Sequence, residues 1–383
     1  MWLIAFVLFL SFLLLQHPFV TYPLSLYGLR LTRGPRSILK ADECQTLSVD
    51  IVFCAYNEIN SIGSKIENCL KLKEADPGLQ IRAYSDGSSD GSADLLAQYS
   101  SKMVVTISDR RLGKSAGMNT LLAQSSADIV VFTDANTTID DRAIDSVRRY
   151  FSDAQVGCVC GDLRYVNARE SPTAGIGSAY WRFEQLLKAL ETSTGSTMGS
   201  DGALFAIRRK LFTPVPVDII DDMFTSLSIL CDGYRVVQAD DFIAYERSVT
   251  RSGEEWRRKV RIACRAFNCH RLLWPRLRRT GALNIYKYIS HKWVRWLSGL
   301  WIIAAGASLL TLLALAGLWW IGAFFILAAA AIITAGRCNL FAGAAALNEI
   351  LISLFAATYG VWKSLRGQRF QTWSVASTAR AGN

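Results

Sequence analysis

From residue 49 the chain alternates between two hydrophobic rhythms. Val49-Asp50-Ile51-Val52-Phe53-Cys54 is a short apolar run and predicts a strand. Glu58 to Leu72 sets Ile62, Ile66 and Leu70 on one face, which predicts a helix, with Asn57 as its cap. The same reading gives strands at Ile81-Arg82-Ala83-Tyr84, Met103 to Ile107 and Ile129 to Thr133, and helices at Ser92 to Tyr99 and Ser115 to Ser125. Strand and helix repeat about every 25 to 30 residues, the rhythm of a mostly parallel sheet with helices on both faces. The next stretch is more mixed. Val156 to Gly161 reads as a strand, and Tyr180 to Glu191 as a helix carrying Trp181, Phe183, Leu186, Leu187 and Leu190. Gly199-Ser200-Asp201-Gly202 turns into a strand ending at Arg209, and Asp221-Asp222-Met223 opens a helix that runs to Cys231.

Outside this region the apolar runs are longer. Residues 1–29 contain no Lys, Arg, Asp or Glu, which predicts a membrane anchor, not a cleaved leader. Arg30, Arg33, Arg36 and Lys40 follow, and the positive-inside rule puts the domain after them in the cytoplasm. Leu297 to Ala316 and Leu318 to Gly336 are each long enough to span a bilayer. Leu340 to Val361 is apolar but holds Asn348 and Glu349. If it spanned, Lys363, Arg366, Arg369 and Arg380 would lie outside, so a re-entrant or interfacial segment is expected. The expected organisation is an anchor at 1–29, an alternating domain at 45–250, basic interfacial helices at 251–296, a membrane region at 297–363 and a basic tail at 364–383.

Charge and composition narrow the chemistry. The net charge is +10, and Arg251 to Arg295 holds 13 Lys or Arg against Glu254 and Glu255 alone. This basic stretch leads straight into the membrane block, so it is expected to lie on anionic lipid and bind phosphate, not nucleic acid. The cysteines (44, 54, 69, 158, 160, 231, 264, 269 and 338) form no CxxC pair, which predicts free thiols. His17, His270 and His291 are far apart in sequence. No GxGxxG follows the first strand, which argues against a dinucleotide-binding Rossmann domain. Gly113-Lys114-Ser115 matches only the tail of a P-loop.

In parallel sheets ligands bind beyond the carboxyl ends of the strands. Three such ends carry chemistry: Ala55-Tyr56-Asn57-Glu58, Ser85-Asp86-Gly87-Ser88-Ser89-Asp90, and Asp134-Ala135-Asn136. Side chains two apart at a strand end point the same way, so Asp134 and Asn136 can hold Mg²⁺ or Mn²⁺ between them. Alone, the triplet also reads as an Asx turn.

The order of these motifs, with Gly113-Lys114, Gly199-Ser200-Asp201-Gly202, Asp221-Asp222 and Glu254-Glu255-Trp256-Arg257-Arg258-Lys259-Val260-Arg261, resembles membrane-bound glycosyltransferase family 2, the cellulose, chitin, hyaluronan and poly-N-acetylglucosamine synthases. The resemblance covers roughly residues 45–300. It implies a GT-A fold, an inverting transfer from a UDP-sugar donor, and a polysaccharide or lipid-linked acceptor. Ala55, Asn57, Glu58, Asp86, Lys114, Asp134, Arg258 and Arg261 are then donor-binding residues. Asp134 and Asn136 are the metal pair, with Asn136 where the family usually has aspartate. Asp222 is the general base. Gly199, Ser200, Asp201, Gly202, Asp221, Glu255 and Trp256 form the acceptor side. Glu255 replaces the glutamine of the family's QxxRW motif and Lys259 its tryptophan; Trp256 is a substitute for that tryptophan. The implied location is the cytoplasmic face of the inner membrane, in a multi-pass protein. Three or four crossings are few to enclose a channel, so extrusion would call for a homo-oligomer or an export partner. A single transfer to a polyprenyl carrier, and a nucleotide-sugar-binding protein of weak activity, are the alternatives.

Overall fold

The computed structural model describes residues 1–38, 47–338 and 340–372; Cys44, Lys40 and Arg380 lie outside them. The chain opens with helices α1 (Trp2–Gln16) and α2 (Thr21–Arg33), bent by 60° to one another. The alternating region follows as β1 (Val49–Ala55), α3 (Ile59–Ala75), β2 (Gln80–Asp86), α4 (Ser92–Ala97), β3 (Val104–Ser108), α5 (Lys114–Ala123) and β4 (Ile129–Thr133). Then come β5 (Thr138–Ile139), α6 (Ala143–Tyr150), β6 (Val156–Tyr165), α7 (Pro172–Ser193), β7 (Leu204–Arg208), α8 (Asp221–Cys231) and β8 (Arg235–Glu246). Last are α9 (Ser252–Leu277), α10 (Ala282–Tyr288), a π-helical stretch at Ile289–Trp293, α11 (Val294–Trp296), α12 (Ser298–Leu315), α13 (Trp319–Arg337) and α14 (Ala342–Leu365).

The strands form one sheet in the order β3-β2-β1-β4-β7-β6-β8-β5. β3, β2, β1 and β4 are parallel, as their helical crossovers require. β7 enters antiparallel to β4 and to β6, and β5 antiparallel to β8, so the sheet is mixed. β1 is buried along its whole length, and its side chains alternate between two cores. Val49, Ile51 and Phe53 meet Ile62 and Ile66 of α3 and Val147 of α6, whereas Val52 and Cys54 face Met118 and Leu121 of α5 and Leu227 of α8. Helices therefore cover both faces of the central strands. Phe132 of β4 and Phe205 of β7 stack across the parallel-to-antiparallel junction, with ring centroids 4.4 Å apart.

Asn57 does not cap α3. Its backbone is left-handed at φ 52°, and its Oδ1 accepts from Ser89 N at 2.9 Å. The start of α3 is satisfied from the next strand end instead: Asp90 Oδ2 accepts from Ile59 N at 3.0 Å and Ser92 Oγ from Glu58 N at 2.9 Å.

Among the described residues three helices, α12, α13 and α14, are long and apolar enough to cross a membrane, or up to four spans if the bent α1–α2 pair counts as one. α14 is one continuous helix that lies beside α9. Lys259 Nζ donates to Ser353 Oγ at 2.6 Å, and Ser364 Oγ donates to Asn268 Oδ1 at 2.6 Å. Gly360 allows this approach. A Cβ there would stand 2.6 Å from the Val260 carbonyl oxygen and 3.0 Å from Cys264 N.

Candidate active site

A cavity of about 1420 Å³ opens at the carboxyl ends of β1 and β4, under α9 and beside α7 and α14. At its polar end the first residue of α5, Lys114, reaches across the strand ends. Its Nζ lies 2.6 Å from Asp134 Oδ1, 3.4 Å from Asp221 Oδ2 and 3.5 Å from the Gly202 carbonyl oxygen. Burial acts to lower the Lys114 pKa, but Asp134 and Asp221 outweigh it and hold the ammonium charged. Asp221 is 4% exposed, and against its own burial Lys114 and Arg265 keep its carboxyl below the usual range.

Asp222 is the opposite case. Burial, and then the charge of Asp221 beside it, push its carboxyl up to about 7. The pair sits in the first turn of α8, where unpaired N–H groups favour carboxylates, and Asp222 Oδ1 accepts from Met223 N at 2.6 Å. Ser200 Oγ and Ser226 Oγ donate to the Asp222 carbonyl oxygen at 2.9 and 2.7 Å, tying the 199–202 turn to α8. Gly202 lets this turn approach, since a Cβ there would lie 3.2 Å from Lys114 Nζ and 3.3 Å from Asp222 Oδ2. Asp201 is ion-paired with Lys188 of α7.

The basic helix α9 closes the cavity. Arg258 and Lys259 each lie 3.3 Å from Glu255. Arg265 Nη2 donates to Ser115 Oγ at 3.1 Å and also to the Ile219 carbonyl oxygen, which fixes the segment leading into α8. Arg261 lines the cavity, and its guanidinium has no hydrogen-bond or ion-pair partner among the described residues. Burial, with Arg265 and Arg258 close by, lowers its pKa to about 10. Such a site draws in an anion.

Of the residues expected from sequence, Glu58, Lys114, Asp134, Asn136, Gly199, Ser200, Asp201, Gly202, Asp221, Asp222, Glu255, Arg258 and Arg261 line this one cavity. Ala55, Asn57, Asp86 and Trp256 do not. Ala55 is fully buried. Asp86 is also fully buried, and its oxygens accept from Leu112 N at 2.7 Å and from Gly113 N at 3.0 and 3.1 Å, so it shapes the loop that presents Lys114. Trp256 stacks on Tyr359 of α14 with centroids 6.1 Å apart, outside the cavity lining. Asp134-Ala135-Asn136 does make a turn, closed by Thr137 N donating to the Asp134 carbonyl oxygen at 3.3 Å.

Sequence reasoning missed a buried polar cluster behind the cavity. His291 lies between Glu184 at 2.6 Å and Glu191 at 2.8 Å, and Arg295 adds a 2.6 Å contact to Glu184. Tyr22 OH donates to Glu191 at 2.5 Å, linking the N-terminal helices to α7. The signal was present: Glu184 and Glu191, seven apart, share one face of α7, and a buried carboxylate calls for a partner. The far wall of the cavity is apolar, with Leu15, Phe19, Ile302, Leu347, Leu351 and Leu354.

The donor set suits a hard divalent cation only in part. Asp134 and the Asn136 amide oxygen are oxygen ligands, which Mg²⁺ or Mn²⁺ accepts when substrate phosphates complete the shell. No group of three or more His, Cys, Asp or Glu side chains gathers around a metal position among the described residues.

Residues 50–213 match the family model of glycosyl transferase family 2. The chain is 24% identical over 244 residues to the poly-beta-1,6-N-acetyl-D-glucosamine synthase of Staphylococcus aureus (strain MSSA476), covering 61% of this chain and 58% of that protein. It is 26% identical over 133 residues to the synthase of the same name from Staphylococcus epidermidis, covering 34% of this chain and 32% of that one. The chain thus spans less than two thirds of the length of these relatives. Among solved structures, the mannosyltransferase PcManGT from Pyrobaculum calidifontis, in complex with GDP-Man and Mn²⁺, shares the fold with a TM-score of 0.71 at 21% identity, over 95% of this chain and all of that one. Residues 50–213 are therefore a glycosyl transferase family 2 domain, carried on a GT-A mixed sheet beside candidate membrane helices.

Proposed function

We propose that this chain is an inverting glycosyltransferase that moves a sugar from a UDP-linked donor to an acceptor hydroxyl at the cytoplasmic membrane face. The observation that carries the reading is Asp222, a cavity carboxyl raised to about 7 by burial and by Asp221. That is the range in which a base both sheds and accepts protons efficiently near neutrality. Asp222 takes the proton of the acceptor hydroxyl as its oxygen attacks the anomeric carbon. The bond from that carbon to the diphosphate breaks on the opposite face, and configuration inverts. Lys114 and Arg261 take up the charge of the departing diphosphate. A divalent cation held by Asp134 and Asn136 would neutralise the same leaving group when bound.

Two acceptors compete. The names of the relatives favour a growing polysaccharide. The apolar far wall of the cavity, reaching α12 and α14, favours one that brings a lipid chain. Mass analysis of the product separates them, by a ladder of added sugars against a single addition. The test of the reaction itself is nucleotide release by the full-length protein in detergent, against UDP-sugars and GDP-mannose, with Asp222→Asn as the paired variant.

A further inference from the structure

The Asp134-Ala135-Asn136 turn has one acid where its family commonly has two, and the fold brings a second carboxylate to the gap. β5 starts just after the turn and pairs antiparallel with the end of β8, with Thr138 opposite Tyr245. That register sets Glu246, the last residue of β8, beside the turn. Asn136 Nδ2 donates to Glu246 Oε1 at 2.9 Å, and both side chains line the cavity. Because the amide nitrogen is committed to Glu246, the carbonyl oxygen is the end of Asn136 left to meet a ligand. A carboxylate behind a neutral ligand orients it and adds negative charge.

We propose that Glu246 completes the cation site. It aims the Asn136 carbonyl oxygen and supplies the charge that an aspartate at residue 136 would carry. The assignment rests on the transferase reading for its purpose, since the cation serves the diphosphate. It rests on the Asn136–Glu246 contact for its place.

The test is Mn²⁺ binding to full-length protein in detergent, read from the electron paramagnetic resonance of free Mn²⁺, with and without UDP. Glu246→Gln keeps a partner for the Asn136 amide and removes the charge, and is expected to weaken Mn²⁺ binding about 10- to 100-fold. Adding Asn136→Asp to Glu246→Gln moves the charge onto the turn and is expected to restore binding, which also shows the single variant to be folded. Unchanged affinity in Glu246→Gln, or no Mn²⁺ binding by the wild-type protein, overturns the assignment. Turnover that persists in excess chelator overturns it too, while leaving the transferase reading intact. Mn²⁺ binding that responds to Glu246→Gln in a protein that releases no nucleotide sinks the transferase reading and leaves Glu246 where it is assigned.

Discussion

Two adjacent aspartates at the start of α8 behave differently because their neighbours differ. Asp221 has Lys114 at 3.4 Å and stays ionised, and its charge helps to raise Asp222 to about 7. The ionised form of Asp222 is the one that accepts a proton. Transfer is therefore expected to rise about tenfold per pH unit below neutrality and to level off above about 7, as a rate profile under saturating donor will check. Stability has the reverse sign. The folded protein holds a proton on Asp222 that the unfolded chain gives up at ordinary carboxylate pH, so this residue costs stability as pH rises from that range to about 7. Sequence made the pair visible, since two carboxylates before a helix are an arresting pattern, but their division of labour depends on where Lys114 lands. The same holds for Asp86. The resemblance made it a donor-binding residue, and its two N–H partners belong to residues 112 and 113, which only the folded loop reveals.

At the scale of elements, the parallel half of the sheet was legible because each strand and its crossover helix are written in local periodicity. β5 and β8 were not. β5 has two residues, Thr138 and Ile139, and no periodicity of its own. β8 is buried unevenly and breaks its register with β6 twice, which blurs the alternation that marks a strand. These two strands deliver Glu246, so the part of the site they build was hidden as well. Lys259 looked like a defect in a motif. In the fold it joins α9 to α14 through Ser353 while pairing with Glu255. The packing of that helix pair depends on Gly360. Gly360→Val is expected to push α14 from α9 and to lower stability by about 1–3 kcal/mol, measured as a fall in the thermal unfolding midpoint in detergent.

At the scale of the molecule, the catalytic domain is joined to the apolar helices by polar contacts, not set apart on a linker. Tyr22 reaches Glu191, and Arg369 pairs with Asp218 just ahead of α8. The end of α14 and residues 366–372 therefore lie on the catalytic domain's side. A C-terminal epitope tag is expected to be digested by protease in the vesicle orientation that also exposes the catalytic domain; protection there would mean that α14 ends on the other side. Sequence fixed neither this docking nor the shared cavity wall, because hydropathy reports how long a helix is and not what it leans against.

The central claim is that Asp222 is the base of a sugar transfer. It is tested most directly by nucleoside diphosphate release from the full-length protein with divalent cation and a panel of nucleotide sugars. Wild-type protein is expected to turn over at least one donor, and Asp222→Asn to lose about 10²- to 10⁴-fold in rate with little change in donor KM. Equal rates for the two proteins, or no release from any donor, would contradict it.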